Sequence, residues 1–271
     1  MLQNLHTHTT FCDGRDTPED TVKEAIKRGF DSIGFSAHAI TEFNIDCELR
    51  DVSGYIEEVN SLKEKYAGII DIFLGAEFDY YSAGLMPDGC YDYKIGSVHF
   101  AKTDGEEYLD FDYKPEIMRR QINKFFGGNS VAYAKRYYEI MADMPNKIRA
   151  DIVGHFDLLT KFTEKNPDIL DTGNKEYKSA ALEALHAVRE KMEFFEVNTG
   201  AISRGHRTLP YPAPFILDEM KSLKCKLVLT SDCHSKEFLG CHFNESKEYI
   251  KSHGFDSLWY LTKNGFVEEK I

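Results

Sequence analysis

Basic residues are scarce in this chain of 271 residues. Lys and Arg together number 33 against 45 Asp and Glu, which leaves a formal net charge of −12. Binding along a nucleic-acid backbone relies on clustered Lys and Arg, so this balance argues against nucleic acid as a partner. The balance still permits a small anionic substrate that one or two local arginines hold.

Long apolar runs are also missing. The most apolar stretches, such as residues 69–76, are interrupted and far shorter than the roughly 20 residues that a membrane-spanning helix needs. The N-terminus begins Met1-Leu2-Gln3-Asn4 and has neither the basic segment nor the apolar segment of a signal peptide. We therefore expect a cytoplasmic protein with no membrane partner.

The cysteines form no CxxC pair. They lie at positions 12, 47, 90, 225, 233 and 241. In a chain of this length without a secretion signal, such spacing is typical of reduced thiols and not of a disulfide framework. The sequence also lacks a GxGxxG motif and a P-loop lysine motif.

The sequence does contain a regular alternation of short strands and helices. Strands are predicted near residues 2–6, 32–36, 71–77, 93–98, 151–154, 194–198, 226–231 and 258–261. Thr17 is expected to cap the first helix and Ser53 the second, which is predicted near residues 54–66. This alternation predicts an α/β fold with a parallel sheet, and it favours a closed or nearly closed barrel over an open doubly wound sheet.

The alternation of strands and helices is interrupted between residues 100 and 149. A loop rich in acids and tyrosine precedes two helices, predicted near residues 115–126 and 130–144. We read this stretch as a helical insertion in one domain that spans residues 1–271. Its acids Glu106, Glu107, Asp110 and Asp112 can meet a cationic amine and imidazole, although a solvated acidic loop is favoured for most of them.

Residue types that bind metals recur where the predicted strands end. They are His6, His8, Asp13, His38, Glu77, His99, His155, Asp232 and His234. The C-terminal ends of parallel strands meet at one face of a barrel, which is where barrel active sites lie. Alternate positions of an extended segment point the same way, so His6 and His8 can face one ion.

Imidazole and carboxylate together suit Zn²⁺, Fe²⁺ or Mn²⁺. Nine such residues are too many for one tetrahedral ion, and Glu77 has two oxygens with which it can bridge two ions. We therefore predict two or three divalent metal ions, with zinc favoured and iron and manganese as the alternatives.

The order of these nine residues resembles the metal motifs of the polymerase and histidinol phosphatase (PHP) superfamily. The resemblance covers nearly the whole chain and implies a distorted (β/α)₇ barrel with a trinuclear centre. It implies that His6, His8, Glu77 and Asp232 hold the first ion, that Glu77, His99 and His155 hold the second, and that Asp13, His38 and His234 hold the third.

Within the superfamily the chain is similar to the monofunctional histidinol-phosphate phosphatases at residues 133–138, 154–157, 196–200 and 211–214. The resemblance implies hydrolysis of L-histidinol phosphate to L-histidinol and phosphate, a step of histidine biosynthesis. The expected chemistry is in-line attack on phosphorus by a hydroxide that bridges two ions. A small phosphorylated substrate is thus the expected partner.

The residues that contact this substrate are less clearly marked. Arg204 and Arg207 are both candidates for the phosphate-binding arginine, and Arg204 is our choice; His206 lies between them as a further candidate contact. Asp232 or His234 is expected to protonate the leaving oxygen. The open alternatives are a PHP phosphoesterase acting on another small ester or a nucleotide, a metal-dependent amidohydrolase, and a metal-binding module without activity. The oligomeric state is left open.

Overall fold

The computed structural model describes residues 1–44, 46–87, 89–103 and 105–271. Within these ranges the strands, in chain order, are β1 (Gln3–Asn4), β2 (Ser32–His38), β3 (Asp71–Asp79), β4 (Tyr93–Ser97), β5 (Phe100–Lys102), β6 (Tyr108–Asp110), β7 (Ile152–Val153), β8 (Phe194–Asn198), β9 (Lys226–Thr230), β10 (Ser257–Thr262) and β11 (Gly265–Lys270). The α-helices are α1 (Pro18–Lys27), α2 (Val52–Lys65), α3 (Pro115–Phe126), α4 (Ser130–Lys147), α5 (Lys175–Arg189), α6 (Gly200–Ser203), α7 (Pro214–Ser222) and α8 (Phe243–Ser252). Short 3₁₀ helices span Tyr80–Ser82, Leu158–Thr160 and Lys236–Phe238.

Seven parallel strands form the central sheet, in the order β1-β2-β3-β4-β7-β8-β9. The two ends of the sheet meet where Thr7 lies opposite Cys233 in a parallel bridge. There the His8 amide donates to the Cys233 carbonyl at 2.8 Å, and the Cys233 amide donates to the His6 carbonyl at 3.0 Å. These bonds bring the sheet nearly to closure, so the predicted α/β barrel is confirmed.

The helix starts follow the local sequence, with one correction. Thr17 caps α1 as predicted, because its side chain accepts the Asp20 amide at 3.2 Å. The cap predicted for α2 was wrong: Asp51, not Ser53, accepts the Gly54 amide, at 2.9 Å. Ser53 already lies in the first helical turn, where its hydroxyl donates to the Asp51 carboxylate.

Between β4 and β7 the chain leaves the barrel. The loop predicted before α3 contains two strands, since β5 and β6 pair antiparallel with Phe100 opposite Asp110. The helix predicted to end near Met144 continues to Lys147 through Pro145. Proline has no backbone N–H, so the last turn of this helix has one intrahelical hydrogen bond fewer. The prediction of one domain over residues 1–271, with residues 100–149 as an insertion, stays a prediction. Asp104, within that insertion, lies outside the described residues.

Tyr93 fills the barrel interior. Its hydroxyl donates to the carbonyls of Leu5 and Phe35. A Cβ on Gly34 would lie 2.4 Å from the Tyr93 hydroxyl oxygen, and a Cβ on Gly75 would lie 2.4 Å from the ring carbon Cζ. The neighbouring strands β2 and β3 therefore carry glycine where the tyrosine ring crosses them. The other buried residues of this apolar cluster are Leu5, Phe73, Ile95, Ile152, Val228 and Leu261.

Among the described residues, no helix combines the length and the apolar character that crossing a bilayer requires.

Replacing Gly75 by Ala should destabilise the barrel, because the added methyl group overlaps the Tyr93 ring. We expect the free energy of unfolding to fall by about 1–3 kcal/mol, the usual range for overpacking, in denaturant titrations. Gly105→Ala is the control, since the nearest atom to its Cβ is 3.7 Å away. Equal stability of the two variants would contradict this packing.

Candidate metal centre

All nine predicted ligands converge at the end of the barrel where its parallel strands terminate. Their donor atoms form four overlapping groups, in each of which every donor lies within 4.8 Å of the others. These groups are His8, Asp13, His38 and His234; His6, His8 and Asp232; His6, Glu77 and His155; and His38, Glu77 and His99. Residues up to 228 positions apart are thus brought to one place by strand convergence.

The Glu77 carboxylate lies at the centre of the site and is 1% exposed. Its Oε2 is 3.1 Å from His6 Nε2 and 3.0 Å from His38 Nδ1. Its Oε1 is 3.0 Å from His155 Nε2 and 3.3 Å from His99 Nε2. The two oxygens thus face different histidines, which is the geometry that a carboxylate shared between two ions requires.

Asp13 and Asp232 lie on either side of His8. Asp232 Oδ1 is 3.4 Å from His8 Nε2, and Asp13 Oδ1 is 3.6 Å from His8 Nδ1. Asp13 also approaches the imidazoles of His234, at 3.1 Å, and His38, at 3.7 Å. These distances agree with the first and third sets of ligands implied above, while His8 adjoins both sets. The assignment of particular residues to particular ions stays a prediction.

Several donor atoms in the centre are buried without a hydrogen-bond partner. They are His6 Nε2, His8 Nε2, Asp13 Oδ1, Glu77 Oε1 and Glu77 Oε2. Buried polar atoms are normally hydrogen-bonded, so a cluster of five such atoms calls for another partner. Imidazole nitrogens and carboxylate oxygens are the donors that divalent zinc, iron and manganese accept. The residues present therefore fit such ions.

The charges within the cluster keep its carboxylates ionised. Burial alone would raise the pKa of Glu77, but the adjacent His6 and His38 hold it well below its ordinary value. Asp232 behaves in the same way, with Arg204 as the main opposing charge. Burial together with the neighbouring histidines lowers the pKa of His8 to about 3, which keeps this ring in the neutral form that binds metal.

A cavity of about 270 Å³ opens above the centre. Of the residues that the structure describes, seven carboxylates line it, namely Asp13, Glu48, Glu77, Asp79, Asp110, Asp112 and Asp232, against two permanent cations, Lys161 and Arg204. This excess of negative charge would repel a phosphate ester. Bound divalent cations reverse that balance, so the cavity suits an anionic substrate only together with metal.

Arg204 is the predicted phosphate ligand that lines this cavity. Its Nη2 donates to Asp232 Oδ2 at 3.0 Å, and its Nη1 donates to the Asp232 carbonyl at 3.1 Å. Asp232 itself has a φ of 44°, a left-handed conformation that is uncommon outside glycine. The side chain of Arg204 is 27% exposed, and it lines the cavity above the centre.

Arg207 and His206 have other surroundings. The Arg207 guanidinium is buried, donates to Thr160 Oγ1 and to the Leu209 carbonyl, and lies 4.3 Å from the centre of the Tyr211 ring. The His206 ring packs edge-on against Phe162 at 4.9 Å. Neither residue lines the cavity that Arg204 lines. Of the three loop residues, the geometry favours Arg204 as the substrate contact.

A comparison with known families agrees with this geometry. The family model described as PHP domain matches residues 4–200. The chain belongs to the PHP domain family. The resemblance drawn from the nine residues is therefore confirmed.

Individual relatives of this PHP domain chain carry more specific names. "Histidinol-phosphatase" of Bacillus subtilis is 30% identical, with 87% of this chain and 94% of the relative aligned. "Probable histidinol-phosphatase" of Schizosaccharomyces pombe is 26% identical over 100% of this chain and 94% of the relative. A histidinol phosphate phosphatase from Lactococcus lactis, solved with zinc, L-histidinol and phosphate, has the same fold, with a TM-score of 0.69, 21% identity and 98% of both chains covered.

Sequence reasoning did not assign a role to two carboxylates behind the predicted ligands. Glu196 lies 2.6 Å from His6 Nδ1, and Asp79 accepts the His99 amide at 2.8 Å. Each is buried, and Asp79 lies two positions after Glu77 in β3. For Glu196 the available signal was an acidic residue that follows Phe194 and Phe195 inside a predicted strand, because buried carboxylates need partners.

We expect the purified protein to contain at least two divalent ions per chain, and Glu77→Gln to lose at least one of them. The amide keeps the shape of the side chain but loses the charge that both groups of histidines share. Elemental analysis measures this, and Glu219→Gln, which alters only the pair with His186, is the control. Full metal content in the Glu77 variant would contradict a shared carboxylate.

Proposed function

We propose that this chain is a metal-dependent phosphomonoesterase that hydrolyses L-histidinol phosphate to L-histidinol and phosphate. The observation that carries the proposal is a cluster of nine ligand residues, with Glu77 at its centre and Arg204 at its edge. The 30% identity to a protein named histidinol-phosphatase supports the choice of substrate. Hydrolysis of this kind belongs to histidine biosynthesis, and a cytoplasmic location stays a prediction.

The nine ligand residues can be divided among three metal ions, two of which share Glu77. We propose that His6, His8, Glu77 and Asp232 hold the first ion. Glu77 with His99 and His155 would hold the second, and Asp13, His38 and His234 the third. When bound, such ions supply Lewis-acid charge to the phosphoryl oxygens and make water acidic near neutral pH. Zinc is our choice, since imidazole and carboxylate ligands suit it.

Arg204 and His234 are the proposed catalytic groups beside the ions. Arg204 can direct guanidinium N–H groups at the equatorial oxygens of phosphorus, where negative charge increases during the reaction. The leaving oxygen needs a proton. Asp232 is 6% exposed and paired with Arg204, whereas the side chain of His234 is 26% exposed. Exposure to the cavity therefore favours His234 as the proton donor. Because His234 would also hold the third ion through one ring nitrogen, the proton would come from the other nitrogen.

The acidic wall of the cavity suits the cationic end of histidinol phosphate. Asp112 lines the cavity and pairs with Lys161 at 3.0 Å, and Asp110 lines it nearby. Glu106 and Glu107, from the same segment, pair instead with Lys102 and Lys124 and are themselves solvated. We propose that Asp110 and Asp112 face the amine and imidazole of the substrate, two cationic groups that sugar phosphates lack.

A panel of phosphate esters tests this function. With reconstituted metal, phosphate release from L-histidinol phosphate should exceed that from sugar phosphates and mononucleotides by at least about 10²-fold in kcat/KM, or roughly 2.7 kcal/mol. A chelator should abolish release, and added zinc should restore it. A higher rate with a mononucleotide would replace the proposed substrate, and no release from any ester would remove the phosphatase assignment.

Arg204→Ala should lower kcat/KM for L-histidinol phosphate by about 10²-fold, because the lost donors act on developing charge. Arg204→Lys should recover only part of this loss, since an ammonium group lacks the planar fork. The exposed Arg120→Ala is the matched control. Arg207→Ala is expected to lower the melting temperature instead. An active Arg204→Ala enzyme beside a folded but inactive Arg207→Ala enzyme would show that the wrong arginine was chosen.

A further inference from the structure

The Glu196 side chain lies behind the metal centre and is 1% exposed. Four groups surround its carboxylate. His6 Nδ1 lies 2.6 Å from Oε1, and the Thr230 hydroxyl donates to the same oxygen at 2.5 Å. The His155 amide donates to Oε2 at 2.7 Å, and Asn198 Nδ2 donates to it at 2.9 Å. One buried carboxylate therefore contacts residues on or just after four neighbouring barrel strands.

The two donors at Oε2 cannot exchange their roles. A backbone amide such as that of His155 only donates. The side-chain amide of Asn198 is held in one orientation because its Oδ1 accepts the Gly200 amide at 2.8 Å. Oε2 must therefore be an acceptor, and Oε1 is the atom left to face His6.

An ionised carboxylate has no proton to donate, so the hydrogen bond at Oε1 needs the proton on His6 Nδ1. In the neutral ring that a metal ion binds, the other ring nitrogen, Nε2, then carries the lone pair. Nε2 lies 3.1 Å from Glu77 Oε2 and 3.7 Å from Asp232 Oδ1, on the side where the other predicted ligands converge. A histidine that binds metal through Nε2 needs this tautomer.

We infer that Glu196 is a positioning residue that fixes the Nδ1–H tautomer of His6 and so presents Nε2 to a metal ion. The inference rests on the metal site of the proposed function. Glu196 and Asn198 are two apart on β8 and so share one face of the strand, which aligns both with the centre. The same carboxylate joins the ends of β7, β8 and β9 to His6.

The substitution Glu196→Gln keeps the shape of the side chain but removes its charge and adds an NH₂ donor. The glutamine oxygen must face the His155 and Asn198 donors, which places its NH₂ group against His6 Nδ1 and the Thr230 hydroxyl. Both of these atoms can accept, provided that His6 moves its proton to Nε2, where the Glu77 carboxylate accepts it. Every buried group in the variant thus keeps a partner, so the fold should persist while His6 can no longer bind an ion.

The test uses full-length protein with ¹⁵N-labelled histidine, reconstituted with zinc. Two-bond nitrogen–proton spectra report which ring nitrogen of His6 carries the proton, with the resonance assigned by its absence from His6→Gln. We expect the wild type to be protonated at Nδ1 and Glu196→Gln at Nε2. Zinc affinity should fall by about 10- to 100-fold, the usual effect of losing such a partner, and elemental analysis should show less zinc per chain.

Thr230→Val is the matched control. It removes the other donor to Glu196 Oε1, but this oxygen can still accept the proton of His6 Nδ1. It should keep the wild-type tautomer and metal content, which a merely structural role for the network would not predict. Wild-type His6 without a proton on Nδ1 would overturn the inference, even if Glu196→Gln fails to fold. Glu196→Gln with wild-type zinc affinity would also overturn it. A wild type that binds no zinc would instead overturn the proposed function.

Discussion

The arrangement of this protein depends on burying more carboxylates than its own cations neutralise. Glu77 and Asp232 are almost inaccessible and remain ionised, Asp232 beside Arg204 and Glu77 among the histidines, and neither carboxylate oxygen of Glu77 has a hydrogen-bond partner. A buried charge without a partner destabilises a fold by several kcal/mol. Divalent ions remove this cost, because one ion brings two positive charges and binds several donors at once. Stability of the barrel end and capacity for phosphate chemistry therefore have the same origin.

The barrel can hold these buried charges because its apolar interior and its polar residues lie at different levels along the strands. Tyr93 and the apolar cluster around it fill the interior, while Gly34 and Gly75 leave room for the ring. The donors occupy the strand ends and the segments directly after them. Residues two apart on a strand point the same way, so β3 presents both Gly75 and Glu77 to the barrel interior: Gly75 makes room for the Tyr93 ring, and Glu77, nearer the strand end, reaches the polar centre.

Neighbouring residues in one loop serve different purposes. Arg204 reaches Asp232 and the cavity, whereas Arg207, three positions later, is enclosed by Thr160, Leu209 and Tyr211. Both side chains are arginine, and both follow β8. What differs is the direction in which the chain turns after α6, which points one guanidinium to the ligands and the other to the interior. Position in the sequence alone does not distinguish the two.

The sequence by itself determined the barrel, the family and the metal-binding residue types, because parallel strands end at one face and His6, Glu77 and Asp232 each stand at or near such an end. It did not reveal the strands β5 and β6 or the cap at Asp51. The role of Glu196 was also decided only by the tertiary structure, since its partner His6 lies 190 residues away. Strand ends are set by local patterns, whereas the partner of a buried carboxylate is set by how distant segments pack.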